Sequence, residues 1–297
     1  MAADRHRRAP GKAAAGPSAK QRARERIAAE QAARQRAEAR RRFLVTGGAI
    51  TAVLAVFAVL VAVKLTAGSA HQSGRESAAP ASVVRQVTTV PASTLATISP
   101  GQVATPLQKV RSAGPPLTVD GKPAIVFVSE ESCPFCAAER WSLAVALSHF
   151  GTWSGLGITH SSASDVYPGT ATLSFRNAHF RSRKLTLRTT ELTDNTGHPL
   201  QSQTALDLDV ISHYDVPPYV NSADQSGAVP FLDIANRYVI AGAQYSPQVL
   251  AGLSAAQIAA QLRDPASPVA QAIDSSAQVI INQINQVRRD RAGQSRA

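Results

Sequence analysis

Two neighbouring stretches decide the fold: the apolar run Ala124-Ile125-Val126-Phe127-Val128 and, three residues later, the motif Ser132-Cys133-Pro134-Phe135-Cys136. The run has the length of a strand and contains no alternating polar residues. It therefore predicts a strand that is buried on both faces of a sheet. After the motif, a helical pattern of apolar residues continues from residue 137 to about 149. The local order is strand, CxxC, helix.

A CxxC pair at the start of a helix has a chemical consequence. Unpaired amide N–H groups and the helix dipole favour an anion at the first cysteine, so Cys133 is predicted to form a nucleophilic thiolate. Pro134 suits the first helical turn, because an N–H at that position would have no helical acceptor. Cys136 lies one turn further on, near enough to close a disulfide with Cys133 and release a bound partner. The motif predicts a thiol–disulfide oxidoreductase, in which Cys133 attacks and Cys136 resolves.

Two alternatives remain open for this pair. The cysteines could form a structural disulfide in a binding module, or they could bind metal in a metal chaperone. Tetrahedral zinc needs four ligands, so His149 and His160 would have to complete such a site. The chain has only two cysteines, and a single pair without spare thiols is typical of an oxidising compartment. We predict an enzyme that uses neither a metal nor a cofactor.

The basic charge belongs to the N-terminal tail. Residues 1–42 contain thirteen Arg and Lys against four Asp and Glu, a net charge of +9 out of the +11 of the whole chain. The remainder of the chain is therefore nearly balanced. Nucleic-acid binding by a folded domain needs a basic face, which this distribution does not favour. The sequence predicts no nucleic-acid partner.

Residues 43–63 form a stretch of 21 residues without a charge, flanked by Arg40-Arg41-Arg42 and by Lys64. This length spans the hydrocarbon core of a bilayer, and it exceeds the apolar region of a cleaved signal peptide. Positive flanks remain in the cytoplasm. We predict a single-pass protein of the cell membrane with a cytoplasmic tail (1–42), an uncleaved transmembrane helix (43–63) and a linker (64–92). The domain that follows is then extracytoplasmic.

Further periodic segments complete the predicted domain, which extends from residue 93 to 290 and leaves 291–297 as a disordered C-terminus. A helix is predicted at 202–214, and apolar residues at steps of three and four predict another after Pro268. Ser254 and Gln257 match a helix capping box. Residues 235–237 are predicted to be the turn of a β-hairpin. The predicted strands are 124–128, 158–159, 171–175, 185–192, 229–234 and 238–241.

These motifs resemble known families. The order strand, CxxC, helix and, much later, Val229-Pro230 before a strand hairpin resembles the thioredoxin superfamily. More narrowly, the string from Cys133 to Trp141, CPFCAAERW, resembles the signature of the family called domain of unknown function 929. Pro91-Ala92-Ser93-Thr94-Leu95, Gly121-Lys122-Pro123 and Asp165-Val166-Tyr167-Pro168 also fit this resemblance, which covers roughly residues 85–290.

The resemblance implies an α/β, thioredoxin-like fold: a central mixed sheet flanked by helices, with an inserted segment, preceded by the single transmembrane helix. It also implies that Val229-Pro230 is a cis-proline loop beside the cysteines that presents backbone groups to an extended substrate peptide. Together with Pro134 and Phe135, this loop is the expected substrate-binding surface. The expected partners are exported cysteine-containing proteins or a membrane redox partner.

Charged residues near the motif lead to two further expectations. Glu130 and Glu131 precede Cys133, and their carboxylates would disfavour a neighbouring thiolate, so the pKa of Cys133 is expected to be only moderately lowered. Glu139 and Arg140 are expected to form a structural or surface pair. Tyr167-Pro168-Gly169 is most simply interpreted as a turn.

Overall fold

The computed structural model describes four stretches of the chain: residues 76–100, 103–111, 114–220 and 226–294. The predicted tail (1–42) and the predicted transmembrane helix (43–63) lie outside the described residues. Within those four stretches, no helix is long and apolar enough to cross a membrane.

The described residues form a mixed α/β structure with strands and helices interspersed along the chain. The strands are β1 (Ser77–Ala78), β2 (Gln108–Lys109), β3 (Thr118–Val119), β4 (Lys122–Ser129), β5 (Thr152–Ser154), β6 (Gly157–His160), β7 (Ala171–Ser174), β8 (His179–Arg181), β9 (Thr186–Glu191), β10 (Phe231–Ile234) and β11 (Tyr238–Ala241). The helices are α1 (Ala81–Thr88), α2 (Ala92–Thr97), α3 (Pro134–Ser148), α4 (Ala205–Tyr214), α5 (Ala255–Gln261) and α6 (Pro268–Gln294). A short 3-10 helix spans Pro247–Leu250. The predicted strands are all present, with ends that differ by a few residues.

A mixed sheet of six strands forms the centre of the structure. Its strand order is β2, β11, β10, β4, β9, and the short β3 pairs with the first residues of β4. β4 is antiparallel to β10, with Val128 opposite Phe231, and parallel to β9, with Val128 opposite Thr190. The hairpin of β10 and β11 turns at Ala235 and Asn236, which both adopt positive φ. β4 thus lies in the middle of the sheet, as its unbroken apolar run predicts.

Helices cover the central sheet on both faces. Ile125 and Phe127 of β4 belong to a large core that also includes apolar residues of α3 and α6. Val126 and Val128 belong to a second core, which includes Val210 of α4. Alternate side chains of a strand point to opposite faces, so both sets are buried. This coverage buries β4, which leads directly into the cysteine motif.

The segment between α3 and β9 contributes four strands to two small antiparallel sheets, and β1 from the N-terminal side completes the first of them. One consists of β1, β6 and β7, and the other of β5 and β8. β7 packs against α3, and Leu173 of β7 is fully buried in the large core. Trp141 of α3 donates a hydrogen bond from its indole nitrogen to the carbonyl of Ala171, at 3.1 Å. This added segment therefore lies against the helix that carries the cysteines.

The prediction that residues 64–92 form a linker is wrong for the second half of that stretch. Helix α1 lies inside that stretch, and it packs against α3 and α5. Val83 and Val87 are spaced one turn apart and are 1% and 0% exposed. Apolar residues at this spacing share one helix face. The sequence indicates this helix only weakly, because the apolar spacing extends over a single turn and the surrounding residues are mainly Ser, Thr and Ala. The folded domain therefore begins well before residue 93.

The C-terminal helix α6 confirms the helix predicted after Pro268, but the predicted end of the domain at residue 290 is wrong. The apolar residues spaced by three and four are all buried: Val269, Ile273, Ala277, Ile280, Ile284 and Val287. The helix continues to Gln294, so residues 291–294 are helical and not disordered. Helix α4 begins at Ala205, three residues later than predicted, because Thr204 and Asp207 form a capping box.

Candidate functional site

Cys133 is the N-cap of α3, between the end of β4 and the first helical turn. Its backbone is extended, and its sulfur accepts a hydrogen bond from the backbone N–H of Cys136 at 3.3 Å. Pro134 follows at the first helical position and is buried. An N-cap acceptor satisfies an amide that the helix itself leaves unpaired. The sulfur of Cys133 thus occupies the position that favours an anion.

The two cysteines differ in exposure. Cys133 is partly exposed and Cys136 is fully buried, and both are free thiols. The sulfur of Cys136 accepts a hydrogen bond from the backbone N–H of Glu130 at 3.4 Å. The first cysteine is therefore open to a reaction partner, while the second lies behind it between α3 and the end of β4.

The pKa values of the two thiols shift in opposite directions. The pKa of Cys133 is lowered, first by a hydrogen bond with the Cys136 thiol, and then by backbone N–H groups and the Arg140 charge, against an opposing effect of burial. The pKa of Cys136 is raised well above its ordinary value, chiefly because its burial removes water from the anion. The thiol of Cys133 therefore ionises more readily than that of Cys136.

The two glutamates before the motif do not act as expected from the sequence. Glu131 is 1% exposed, and its carboxylate accepts a hydrogen bond from the Ser174 hydroxyl at 2.5 Å. Burial raises the pKa of Glu131, against opposing effects of the Ser174 hydrogen bond and the Arg140 charge. Neither Glu130 nor Glu131 is among the main causes of the Cys133 shift. The Cys136 thiol, the backbone N–H groups and the Arg140 charge therefore outweigh these two carboxyls in setting the pKa of Cys133.

Val229 and Pro230 lie beside the first cysteine. The carbonyl of Val229 is 3.7 Å from the sulfur of Cys133, which donates to it when protonated. The peptide bond between Val229 and Pro230 is cis, as the resemblance implies. Pro230 is buried and leads directly into β10, whereas Val229 is half-buried. Residues 96 positions apart in the chain therefore meet at this sulfur.

Phe135 provides the exposed apolar surface of the motif. Its side chain is 39% exposed, and its ring meets that of Tyr167 edge to face, with centroids 5.8 Å apart. The loop that carries Tyr167 is attached to the motif by a hydrogen bond from the Ser162 N–H to the Ser132 carbonyl, at 2.8 Å. The sequence indicated only a turn at Tyr167. Its contact with Phe135 depends on how the segment after α3 folds back, which no local pattern specifies.

Glu139 and Arg140 are not a surface pair, and they do not pair with each other. Both are 0% exposed, because α3 is covered on all sides. Glu139 accepts hydrogen bonds from the backbone and the side chain of Gln244. Arg140 instead makes a two-pronged ion pair with Glu191 of β9, with N–O distances of 2.8 and 2.6 Å. The sequence missed this pair because its partners lie on separate elements.

The histidines suggested for a metal site do not both adjoin the cysteines. His149 is the C-cap of α3, thirteen residues after Cys136. At about 1.5 Å per residue this places His149 roughly 20 Å along the helix from Cys136, too far to share a metal with it. His160 ends β6, and burial lowers its pKa. In the part of the chain that the structure describes, no three His, Cys, Asp or Glu side chains cluster as a metal site would require.

The fold and the site together define a class: a mixed α/β protein with a CxxC pair at the start of a buried helix, flanked by a cis-proline loop. The chain belongs to the family described as domain of unknown function (DUF929), whose model matches residues 108–286. The match includes both cysteines and Val229-Pro230. No curated protein and no solved structure matches the chain significantly.

Proposed function

We propose that this protein is a thiol–disulfide oxidoreductase that works through Cys133 and Cys136. The observation that carries the proposal is the asymmetry of the pair at the N-terminus of α3. Cys133 is accessible and has a lowered pKa, whereas Cys136 is buried behind it with a raised pKa. A purely structural disulfide has no need of one accessible, acidic sulfur.

The exchange proceeds in two balanced steps. The Cys133 thiolate attacks one sulfur of a client disulfide, so that a mixed disulfide forms and the other client sulfur leaves as a thiolate. Cys136 then loses its proton and attacks the sulfur of Cys133, which forms the internal disulfide and releases the second client sulfur. The client gains two electrons and the protein loses two. The reverse sequence oxidises a client dithiol with the same groups.

The strand order supports a thioredoxin-like fold around this pair. The elements β4, α3, β9, α4, β10, β11 and α6 follow one another along the chain, and their strands lie in the order β11, β10, β4, β9. The central strand β4 leads into the CxxC helix, and the cis-proline precedes the antiparallel hairpin, as in thioredoxin-like proteins. The strands β5, β6, β7 and β8 between α3 and β9 then form the inserted segment.

The surface around Cys133 suits an extended polypeptide as the client. The exposed Phe135 ring, two residues after Cys133, offers an apolar contact, and the Val229 carbonyl lies 3.7 Å from the Cys133 sulfur. Backbone hydrogen bonds to an extended segment recognise any sequence, and the apolar ring adds affinity. This supports exported cysteine-containing proteins, or a membrane redox partner, as the reaction partners. Pro134 and Pro230 are buried and support the shape of this surface without forming it.

The reduction potential of the pair tests this proposal. After equilibration in a series of glutathione buffers and alkylation of free thiols, Cys133 and Cys136 should titrate as one reversible two-electron couple. The expected potential lies between about −120 and −270 mV, the range of CxxC oxidoreductases. A variant with Cys136→Ser should show no internal couple. A pair that stays oxidised below about −300 mV would instead identify a structural disulfide and a binding module.

We also propose that the domain is anchored to the cell membrane by residues 43–63, with the tail (1–42) inside and the cysteines outside. The charge-free stretch and the basic residues before it support this topology. A single pair of cysteines also suits an oxidising, extracytoplasmic compartment.

Protease protection measures this topology. Protease added to intact cells should digest the domain and leave an N-terminally tagged tail fragment protected. In permeabilised cells the same tag should be digested, which controls for intrinsic resistance of the tail. A domain that survives in intact cells would contradict the extracytoplasmic location.

A further inference from the structure

A fully buried ion pair lies directly beneath the cysteines. Arg140 is four residues after Cys136, so the two side chains occupy the same face of α3, one turn apart. The guanidinium of Arg140 is 0% exposed, and so is the carboxylate of Glu191. The hydroxyl of Ser129, the last residue of β4, joins them by donating to Glu191 at 2.7 Å and accepting from Arg140 at 3.4 Å. The pair therefore fills the space between the helix and the ends of two central strands.

One side of the guanidinium is left without a partner. The Nε and Nη2 atoms of Arg140 donate to Glu191 and Ser129, but its Nη1 atom is buried and has no hydrogen-bond partner among the described residues. A buried donor on a charged group without a protein partner is unfavourable, so its presence calls for an explanation. A buried ion pair also contributes little net stability compared with apolar side chains of similar size. Stability alone therefore does not explain the pair.

We propose that Arg140 is a positioning residue for thiol–disulfide exchange: its fixed, buried charge stabilises the sulfur anions of Cys133 and Cys136 and so makes the pair more oxidising. This inference rests on the proposed exchange function. Each exchange passes through a thiolate, and Cys136 must become one in a site without water. A cation held one turn away lowers the free energy of that anion more than it would in solvent.

The electrostatics of the site agree with this role. The Arg140 charge lowers the pKa of both cysteines, and Cys136 in turn helps to raise the pKa of Arg140. Glu191 is the main partner that keeps Arg140 charged, and it bonds the side of the guanidinium formed by Nε and Nη2. Burial raises the pKa of Glu131, the other buried carboxyl near Arg140, and Glu131 in turn helps to raise the pKa of Arg140. Glu191 thus binds the guanidinium through Nε and Nη2, while Nη1 has no hydrogen-bond partner among the described residues.

The test compares variants that keep and remove this charge in the whole protein. Arg140→Lys keeps a cation, and Arg140→Met combined with Glu191→Gln removes both charges without leaving either one buried alone. Arg188→Met combined with Asp120→Asn is the matched control, because it neutralises an exposed ion pair whose N–O distance is 3.8 Å. For each variant we would measure the potential of the cysteine pair in glutathione buffers and the pH dependence of Cys133 alkylation by iodoacetamide.

In the double variant at Arg140 and Glu191, we expect the equilibrium with glutathione to shift about tenfold towards the Cys133–Cys136 disulfide. This corresponds to a reduction potential of the pair that is about 30 mV more negative. The midpoint of Cys133 alkylation should rise by about one pH unit, because its thiolate loses a stabilising charge. Arg140→Lys and the control should retain the parent potential and midpoint. These readouts do not follow from a change in stability alone.

Other outcomes overturn the inference. If the double variant keeps the parent potential, Arg140 does not act on the sulfurs. If Arg140→Lys shifts as much as the double variant does, packing and not charge is responsible. The same measurement on the parent protein tests the proposed function by itself. If the parent has no reversible cysteine couple, the exchange function is refuted, whatever the variants show.

Discussion

Cys136→Ser should accumulate mixed disulfides between Cys133 and client proteins, visible as reducible high-mass bands on a non-reducing gel. Cys133 can still attack, because it is the accessible sulfur with the lowered pKa. The release step, however, needs a second thiol held close by, and serine cannot supply it. Loss of such an intramolecular step slows release by a factor of about 10⁵ or more. The intermediate that is normally brief should therefore persist.

Cys133→Ser is the matched control for this experiment. It leaves Cys136, whose thiol is buried and has a raised pKa, so it should trap few or no clients. Equal trapping by both variants would contradict the assignment of roles to the two sulfurs. Absence of trapping by either would favour the binding module, in which the disulfide only stabilises the fold.

Val87→Asp should unfold or strongly destabilise the domain, by roughly 4 kcal/mol or more, because it would bury an unpaired carboxylate in the large core. Val87 is 0% exposed on α1, in the stretch that the sequence assigned to the linker. Thermal unfolding of the purified protein, followed by circular dichroism, measures the loss.

Ser82→Asp is the control on the same helix. Ser82 is exposed in the first turn of α1, where a carboxylate interacts favourably with the helix dipole. This variant should therefore match or slightly exceed the parent in stability. Equal unfolding temperatures for Val87→Asp and Ser82→Asp would mean that α1 is not part of the folded core.

Much of the fold could be predicted from local patterns. The unbroken apolar run at 124–128 indicated a strand covered on both faces, and β4 lies at the centre of the sheet. The repeat at steps of three and four after Pro268 indicated one buried helix face, which α6 buries against the core. The segment at 81–88 escaped notice because two valines one turn apart are too short a pattern to distinguish a core helix from a linker.

The candidate site could be predicted only in part. Cys133 is the N-cap of α3 and Pro134 its first residue, because the order strand, CxxC, helix is a local property of the chain. The buried state of Glu139 and Arg140 could not be predicted in the same way. Charged residues are rarely buried unless they are paired. The partner of Arg140 is Glu191 on β9, and the partner of Glu139 is Gln244, three residues after β11.

The sequence by itself determined the order of the elements, the placement of the two cysteines at a helix start, and the family to which the chain belongs, because these are properties of neighbouring residues. The tertiary structure alone decided which distant residues surround the sulfurs. The Val229 carbonyl reaches Cys133 across 96 positions, and Glu191 reaches Arg140 across 51. These contacts depend on strand order and register. Both result from packing the whole sheet between its helices, and no local pattern specifies them.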